Sequence, residues 1–439
     1  MKTPWLTPVE NDADAEMLHS APSNGAEFIR SLGTMEHFLW LLDQSEPTHF
    51  SIAAEIEGPT TVASWRLALD AVQRRHPFFS VCIDDSHDAR PSFRRIVGTQ
   101  IPLRVINTET ADSQWEREIE GELSTRFDPQ HAPLLRVALL HHPDKSILIF
   151  TTYHSIGDGI STTFAIRDIL RALSGEKLEP LPLLPCMEVL LGMPQTSGKR
   201  PGSTTSFRPR PEGVAATILK TASPHIKGLR LSTEFTSKLL SRSRHEGTTL
   251  HGALCAALVL AGRQVFSTWN NPVRIHSAID ARRLLGLGDN HMQLASGGIV
   301  AVNPDAMASF WHIARFMKSG LAPAQSPEGV IAGLGGLNDL LLQGLDSEAL
   351  AQVANQSYAH EATVTNLGNL PFGTSFGNLK LTSMWGPAIH VGGENGQTIG
   401  AVTANGSLCL LHTSSTPAPV LLEAMERLMA AACTHSEAA

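Results

Sequence analysis

The stretch ILIFTTYHSIGDGISTTFAIRDIL, residues 147–170, passes from an apolar, β-branched run through a polar turn into a helical pattern. The run predicts a buried strand, and the apolar residues spaced three or four apart after the turn predict a helix. His154 stands where the strand ends, with Asp158 four residues on and Gly159 directly after it. This order is typical of a mixed α/β fold in which a turn presents a histidine.

The turn carries residue types suited to proton transfer. A histidine with an ordinary pKa of about 6.5 can take a proton from an alcohol or amine near neutral pH. Asp158 lies too close in sequence to be a separate base, so we expect it to accept backbone hydrogen bonds or to pair with a distant arginine. Gly159 permits an unusual backbone conformation or the close approach of another segment. The alternative is a surface turn in which His154 is merely polar.

Composition narrows the class of protein. The chain has 439 residues, 42% of them hydrophobic and 17% charged, which is ordinary for a globular protein of two or three domains. A net charge of −8 argues against nucleic acid as the main partner. The 5 cysteines form no CxxC pair, which indicates free thiols in a reducing compartment: Cys82, Cys186, Cys255, Cys409 and Cys433.

Neither a signal peptide nor a membrane span is expected. Acidic residues occupy the N-terminus where a signal peptide needs an apolar core. The longest apolar run, residues 250–262, is shorter than the roughly 20 residues that a spanning helix needs. We expect a cytoplasmic monomer.

The helical and strand patterns divide into two mixed halves. We predict an N-terminal subdomain over residues 1–185, a linker over 186–227 and a C-terminal subdomain over 228–439, with late segments at about 365–400 contacting the first half. The linker is rich in Pro, Gly, Ser and Thr, and between residues 196 and 230 positive charge collects against the single acid Glu212. Its basic residues form either a docking patch for a phosphate-bearing donor or carrier protein or a solvated flexible segment: Lys199, Arg200, Arg208 and Arg210.

The motif segment resembles the HxxxDG motif of the chloramphenicol-acetyltransferase-like superfamily. That superfamily includes nonribosomal peptide condensation domains, BAHD acyltransferases and the polyketide-associated and alcohol acyltransferases. Further segments resemble the same superfamily in matching order along nearly the whole chain: RSLGTMEHFLWL (30–41), HPFFSVCID (76–84), LPLLPCMEVLLG (181–192), SAIDARRLLGLGDNHMQLASGGIV (277–300) and VTNLGNLPF (364–372).

The resemblance implies an α/β (α+β) fold of two similar subdomains that form a central channel in a V-shaped pseudo-dimer. It implies that His154 is the general base, which deprotonates the hydroxyl or amine of a small-molecule acceptor. The acceptor would attack an acyl thioester of CoA or of an acyl or peptidyl carrier protein. The reaction would belong to secondary metabolism. Asp158 and Arg282 would brace the turn, and Gly159 would leave room for the thioester arm. Channel positions would be Tyr153, Asn290, His291 and Asn366. No metal or tightly bound cofactor is implied.

Two departures from the superfamily pattern bear on this interpretation. Tyr153 replaces the first histidine of the HHxxxDG form, which weakens an assignment as a peptide-bond-forming condensation domain. Its ring either faces the channel or packs in the core. The DFGWG signature of BAHD enzymes is also missing, so we favour the bacterial-type branch. A condensation-like protein without transfer activity, which binds a carrier protein or cyclises bound cargo, is a second hypothesis.

A third hypothesis is a serine hydrolase. GTSFG at residues 373–377 matches GxSxG with Ser375 as nucleophile, and Glu394 and His412 are the obvious partners in the remaining chain. Such a nucleophile must follow a strand and open a helix. Residues 378–385 instead predict a strand, so we interpret GTSFG as a turn.

Overall fold

The computed structural model describes residues 26–86, 90–107, 114–193, 224–303, 309–390 and 396–434. The first half contains seven strands and five helices within these ranges: β1 Ala26–Ser31, α1 Thr34–Asp43, β2 Phe50–Glu57, α2 Val62–Arg75, β3 Val81–Asp84, β4 Ser92–Ile96, β5 Leu103–Asn107, α3 Trp115–Ser124, β6 Leu135–His142, β7 Lys145–Thr152, α4 Gly159–Leu173 and α5 Met187–Leu190.

The described part of the second half contributes eight strands and seven helices: β8 His225–Arg230, α6 Thr233–His245, α7 Leu250–Val265, β9 Val273–Asp280, α8 Arg282–Leu285, β10 Ala295–Val302, α9 Phe310–Leu321, α10 Pro327–Leu342, α11 Ser347–Ser357, β11 Ala362–Asn369, β12 Ser375–Phe376, β13 Leu379–Ile389, β14 Gln397–Ala404, β15 Ser407–Ser414 and α12 Leu421–Thr434. The fold is mixed α/β with two halves of similar build.

Local sequence explains the elements around the motif. Pro143 and Asp144 turn the β6–β7 hairpin, and the strands pair antiparallel from Leu135–Thr152 to His142–Lys145, as predicted. Helix α2 buries Trp65, Leu69 and Val72 on one face and ends before Pro77, also as predicted. Strand β7 is buried along nearly its whole length because helices α3 and α4 both contact it.

Two six-stranded sheets form the core of the fold, with a small three-stranded sheet beside them. The first has the order β12-β13-β2-β7-β6-β5 and the second the order β10-β9-β11-β14-β15-β8. Strands β12 and β13 therefore leave the second half of the sequence and complete the first sheet, where Leu381 pairs with Ile56 and Ile389 pairs with Phe50. The halves interlock through this exchanged hairpin.

The structure describes residues at both ends of the predicted linker. Residues 186–193 pack on the first half: the Glu188 carboxylate accepts a hydrogen bond from the Thr34 amide at 2.8 Å. At the other end, strand β8 begins at His225 and pairs with β15, so the second sheet starts inside the predicted linker. Helix α10, from the second half, also contributes to the first core through Val330 and Leu334.

Two further findings bear on the composition. None of the described helices is long and apolar enough to cross a membrane. All five cysteines are buried and free of disulfides.

Candidate active site

The HxxxDG turn joins the end of β7 to the start of α4, and Asp158 is the N-cap of that helix. Its Oδ1 accepts a hydrogen bond from the Ser161 amide at 2.8 Å, while the Ser161 hydroxyl accepts one from the Asp158 amide at 2.8 Å. Reciprocal capping of this kind satisfies two backbone donors that the helix itself cannot satisfy. Helix α4 therefore begins here because Asp158 and Ser161 stand three residues apart and cap it.

The second carboxylate oxygen of Asp158 reaches the other half of the chain. Oδ2 accepts hydrogen bonds from Arg282 Nη1 at 2.7 Å and from the Leu294 amide at 2.9 Å. Arg282 also donates to Asp280 and to the Met292 carbonyl, both at 3.1 Å. Burial raises the pKa of Asp158, but Arg282 and the amide donors outweigh it and hold this pKa below its usual range. Asp158 is thus a buried, charged brace, and both of its carboxylate oxygens accept hydrogen bonds.

His154 is oriented by its own turn. Its Nδ1 lies 3.0 Å from the Gly157 carbonyl oxygen. A carbonyl only accepts, so Nδ1 carries the proton and Nε2 keeps its lone pair in the neutral imidazole. The Gln293 amide nitrogen also approaches Nδ1, at 3.4 Å, but the shorter contact determines the tautomer. The side chain is partly exposed, and the ring of Phe50 packs edge-on against it at 4.8 Å.

Electrostatics keep His154 in its neutral form. Burial lowers the pKa of His154 below its ordinary 6.5, although the Gly157 carbonyl and the charge of Asp158 act in the opposite direction. An imidazole of this kind is unprotonated at neutral pH and holds a free acceptor nitrogen, as a general base requires.

Comparisons with known proteins match the chain in two segments and in its overall fold. The condensation domain model matches residues 36–188, and the model described as phthiocerol/phthiodiolone dimycocerosyl transferase C-terminus matches residues 220–391. Among solved structures, polyketide synthase associated protein 5 from Mycobacterium tuberculosis superposes with a TM-score of 0.64 at 16% identity, over 94% of this chain and 100% of that chain. The trichothecene 15-O-acetyltransferase TRI3 from Fusarium sporotrichioides has a TM-score of 0.63 at 12% identity, over 92% and 95%. The two family matches, together with the shared fold, support the chloramphenicol-acetyltransferase-like superfamily of condensation domains and acyltransferases.

Similarity to curated proteins is confined to segments of very long synthetases. A hybrid PKS-NRPS synthetase, xenE of Xenoacremonium sinensis, is 27% identical over 139 residues, 31% of this chain and 4% of that protein. The nonribosomal peptide synthetase kk1B of Curvularia clavata is 27% identical over 182 residues, 37% of this chain and 1% of that protein. The chain thus spans only a few per cent of the length of these relatives.

Gly157 and Gly159 let other side chains approach the superfamily motif closely. A Cβ on Gly157 would lie 2.0 Å from Cε1 of His291, and a Cβ on Gly159 would lie 2.7 Å from Leu367 and 2.9 Å from Pro387. These distances are far below van der Waals contact, so only glycine fits. Leu367 and Pro387 lie directly beside Gly159, and room there for a thioester arm stays a prediction.

Tyr153 does not line a channel. Its side chain is fully buried in the first core, with Phe127 edge-on at 6.0 Å. Neighbouring residues at the end of an extended strand point to opposite sides, so a strand that presents His154 turns Tyr153 inward. Burial, together with the nearby Asp43 carboxylate, raises the pKa of Tyr153 well above its ordinary 10. The core-packing alternative is therefore the correct one.

His291 and Asn290, the next two predicted channel positions, both contact other parts of the chain. His291 is buried beneath the motif turn, where its Nδ1 donates to the Ile156 carbonyl at 3.0 Å and its Nε2 lies 3.4 Å from the Thr162 hydroxyl. Burial lowers the pKa of His291 to about 3. Asn290 donates its side-chain amide to the Pro182 carbonyl at 3.0 Å. His291 thus contacts the motif turn and helix α4, and Asn290 contacts the segment after that helix.

The remaining predicted positions are accounted for as follows. Asn366 accepts a hydrogen bond from the Gly368 amide at 2.9 Å and so shapes the end of β11. Lys199, Arg200, Arg208 and Arg210 lie outside the described residues. Beyond them, Lys227 lies 3.6 Å from Glu116 of α3.

Ser375 lacks the surroundings of a hydrolase nucleophile. It is exposed and lies in β12, where it pairs with Lys380 of β13, so a strand rather than a helix follows it. His412 is buried and bonds to the Gln397 side chain at 2.8 Å, and Glu394 lies outside the described residues. The hydrolase interpretation is therefore not supported.

Two supports of the motif escaped the sequence analysis. Gln293 lies beside His154, with its Oε1 held by the Ala295 amide at 2.8 Å, and no pattern around it marks this position. Ser155 donates its hydroxyl to the Glu36 carbonyl at 2.9 Å, which fastens the turn to helix α1. Glu36 in turn binds Arg30 through both carboxylate oxygens, at 2.6 and 2.7 Å. The RSLGTMEHFLWL segment thus anchors the motif.

Proposed function

We propose that this protein is an acyltransferase in which Nε2 of His154 is the general base. The observation that carries the proposal is the Nδ1–H to Gly157 carbonyl bond, which leaves Nε2 unprotonated on a turn braced from both halves. Membership of the superfamily supports acyl transfer in secondary metabolism.

The reaction follows from the free nitrogen. Nε2 takes the proton of an acceptor hydroxyl or amine as its oxygen or nitrogen attacks the carbonyl carbon of an acyl thioester. The resulting tetrahedral intermediate expels the thiolate, which takes the proton back from the imidazolium. An ester or amide and a free thiol are the products, and His154 returns to its neutral form.

The donor in this proposal is a thioester of CoA or of a carrier protein, and the acceptor is a small molecule. Condensation domains act on carrier-bound thioesters, and several relatives of this chain are synthetases that contain such domains. The chemistry asks nothing further of a cofactor, since the thioester itself activates the acyl group.

Thiol release from a panel of acyl-CoA thioesters, with alcohols and amines as acceptors, tests the proposal. His154→Ala should lower the acceptor-dependent rate by roughly 10²–10⁴-fold, the usual contribution of a general base. His245→Ala, an exposed histidine at the end of α6, is the matched control and should leave the rate unchanged. An unchanged rate in His154→Ala would overturn the assignment.

A further inference from the structure

A second histidine, His276 on strand β9, faces the same interior as the motif. Its neighbour Ile275 packs against helix α7 in the second core, so the alternation of the strand turns His276 to the opposite face. Thr363 of β11 pairs in register with His276, and Leu367 further along β11 touches the motif at Gly159. This face of the second sheet therefore leads from His276 towards His154.

His276 is a partly buried side chain with few polar contacts. Its ring contacts the His360 ring in a tilted arrangement, with 5.3 Å between the centroids. Both nitrogens of His360 are engaged, Nδ1 with the Tyr358 carbonyl at 2.7 Å and Nε2 with the Thr363 hydroxyl at 3.0 Å. His276 itself is partly exposed and makes no hydrogen bond to any residue within the described ranges. A polar side chain in this position is available to a ligand.

Small residues line the path between His276 and His154. Ala278 of β9 pairs with Gly297 of β10, and both are exposed. A Cβ on Gly297 would lie 2.3 Å from Nε2 of His276, so the glycine makes room for the imidazole. Gly297 follows Gln293, the neighbour of His154, by four residues, which an extended chain covers in about 13 Å.

No free charge faces this path among the residues described around it. Arg274 on the same face is paired with Glu361 at 2.6 Å, and Asp280 is paired with Arg282 at 3.1 Å. Burial lowers the pKa of His276 to about 3, with small contributions from His360 and His251, so the imidazole is neutral. A neutral imidazole can donate and accept hydrogen bonds, and the path beside it carries no free charge among the described residues. Such a position favours an uncharged polar group of a ligand.

We propose that His276 is the polar end of a ligand subsite, which takes an uncharged, extended segment bearing a hydroxyl or amide about 13 Å from the reacting group at His154. The inference rests on the proposed function, because it takes His154 as the reacting end. Two sources share this chemistry. One is the pantetheine arm common to CoA and carrier proteins, and the other is the acceptor molecule.

Binding measured without turnover tests the subsite. The protein is labelled with ¹⁵N-histidine, the His276 imidazole signals are assigned from His276→Gln, and pantetheine and hexane-1,6-diol are titrated separately. A shift of the His276 signals with pantetheine alone identifies the donor arm, and a shift with the diol alone identifies the acceptor. Signals that move with neither probe at concentrations up to about one hundred millimolar, where even a weak hydrogen-bonded contact registers, overturn the proposal.

Two glycine variants sharpen the result. Gly297→Ala pushes a methyl group into the His276 ring and should weaken binding of the active probe about tenfold, the loss of one hydrogen bond. Gly335→Ala on helix α10, whose Cβ meets nothing within 4 Å, is the matched control and should bind normally. His154→Ala should keep the His276 shift. A failure of the general base and a failure of the subsite are therefore separable.

Discussion

Asp158 of the first half and Arg282 of the second form a buried ion pair, Oδ2 to Nη1 at 2.7 Å, with 3% and 4% of their side chains exposed. This pair joins the turn that carries His154 to the start of helix α8. The two halves therefore meet at the motif itself, and the aim of the histidine depends on both.

Asp158→Asn should lower both stability and activity. The change removes the closer and more buried of the two carboxylates that pair with the Arg282 guanidinium, the other being Asp280. Breaking a buried ion pair typically costs about 3–5 kcal/mol in free energy of unfolding. Urea unfolding at pH 7 measures this cost. Asp70→Asn, which breaks the partly exposed Arg66–Asp70 pair at 3.0 Å, is the control and should cost at most about 1 kcal/mol. Equal costs for the two variants would contradict the bracing role.

The pH dependence of turnover should follow the neutral form of His154. Burial places the pKa of His154 below 6.5, so the active form persists at pH 6.5 and is lost only as the pH falls further. A profile of kcat/KM against pH from 5 to 8 should therefore be flat near neutrality, with its acid limb centred below 6.5. An acid limb centred above 6.5 would be inconsistent with this site.

Stability should fall on mild acidification. Burial lowers the pKa of five histidines to about 3 or 4: His49, His251, His276, His291 and His412. Below pH 6.5 the unfolded chain binds protons at these positions while the folded chain does not. The contribution of these neutral histidines to the free energy of unfolding is complete above pH 6.5. It is lost progressively as the pH falls towards 4 and 3.

Urea unfolding at pH 7, 6 and 5 measures the slope. His291→Gln removes one group that takes up a proton on unfolding, so the slope of the unfolding free energy against pH should decrease accordingly. This holds even if the variant is less stable overall. Carboxylates titrate mainly below about pH 4 and contribute little in this window. A free energy that does not change between pH 7 and 5 would refute the assignment.

Gly159→Ala should weaken the packing of the motif against strand β13 and so destabilise the protein. The methyl group would meet Leu367 and Pro387 below 3.0 Å, and overpacking of this kind typically costs about 1–3 kcal/mol. Leu367→Ala in the same chain should recover part of that loss, as thermal unfolding can show. The control is Gly121→Ala in helix α3, whose Cβ meets nothing within 4 Å, and which should be neutral or stabilising.

Tyr153→Phe should retain activity within a few-fold. The ring lies in the core, and its hydroxyl is buried near the Asp43 carboxylate, on a side chain remote from any acceptor or donor substrate in the proposed reaction. Steady-state rates with the best donor and acceptor measure the effect. Loss of activity in a variant that unfolds at the same urea concentration as the parent would indicate that the Tyr153 hydroxyl takes part in the reaction.

Local pattern was enough to predict the elements around the motif. The apolar run before Tyr153 and the helical spacing after Asp158 specified β7 and α4, because burial and helix periodicity are properties of neighbouring residues. The pairing of Asp158 with Arg282 was expected only through family resemblance, since nothing local links positions 124 residues apart.

Orientation and long-range pairing escaped the sequence analysis for a physical reason. A motif specifies which residue types are present, but the direction of Tyr153 and His291 depends on which side of the turn the core lies. Strand β13 reads locally as an ordinary strand, and its partner β2 lies more than three hundred residues earlier in the chain. Sheet pairing across such a distance follows from tertiary packing.

The exchanged hairpin has a consequence for biosynthesis. Until residue 389 has been made, β2 has no partner on one side and presents a row of open amide and carbonyl groups along an apolar strand. Unpaired edges of this kind recruit other chains. The growing chain must therefore keep its first sheet from associating with neighbours while most of the second half is still being synthesised, and a truncation before β13 should aggregate rather than fold.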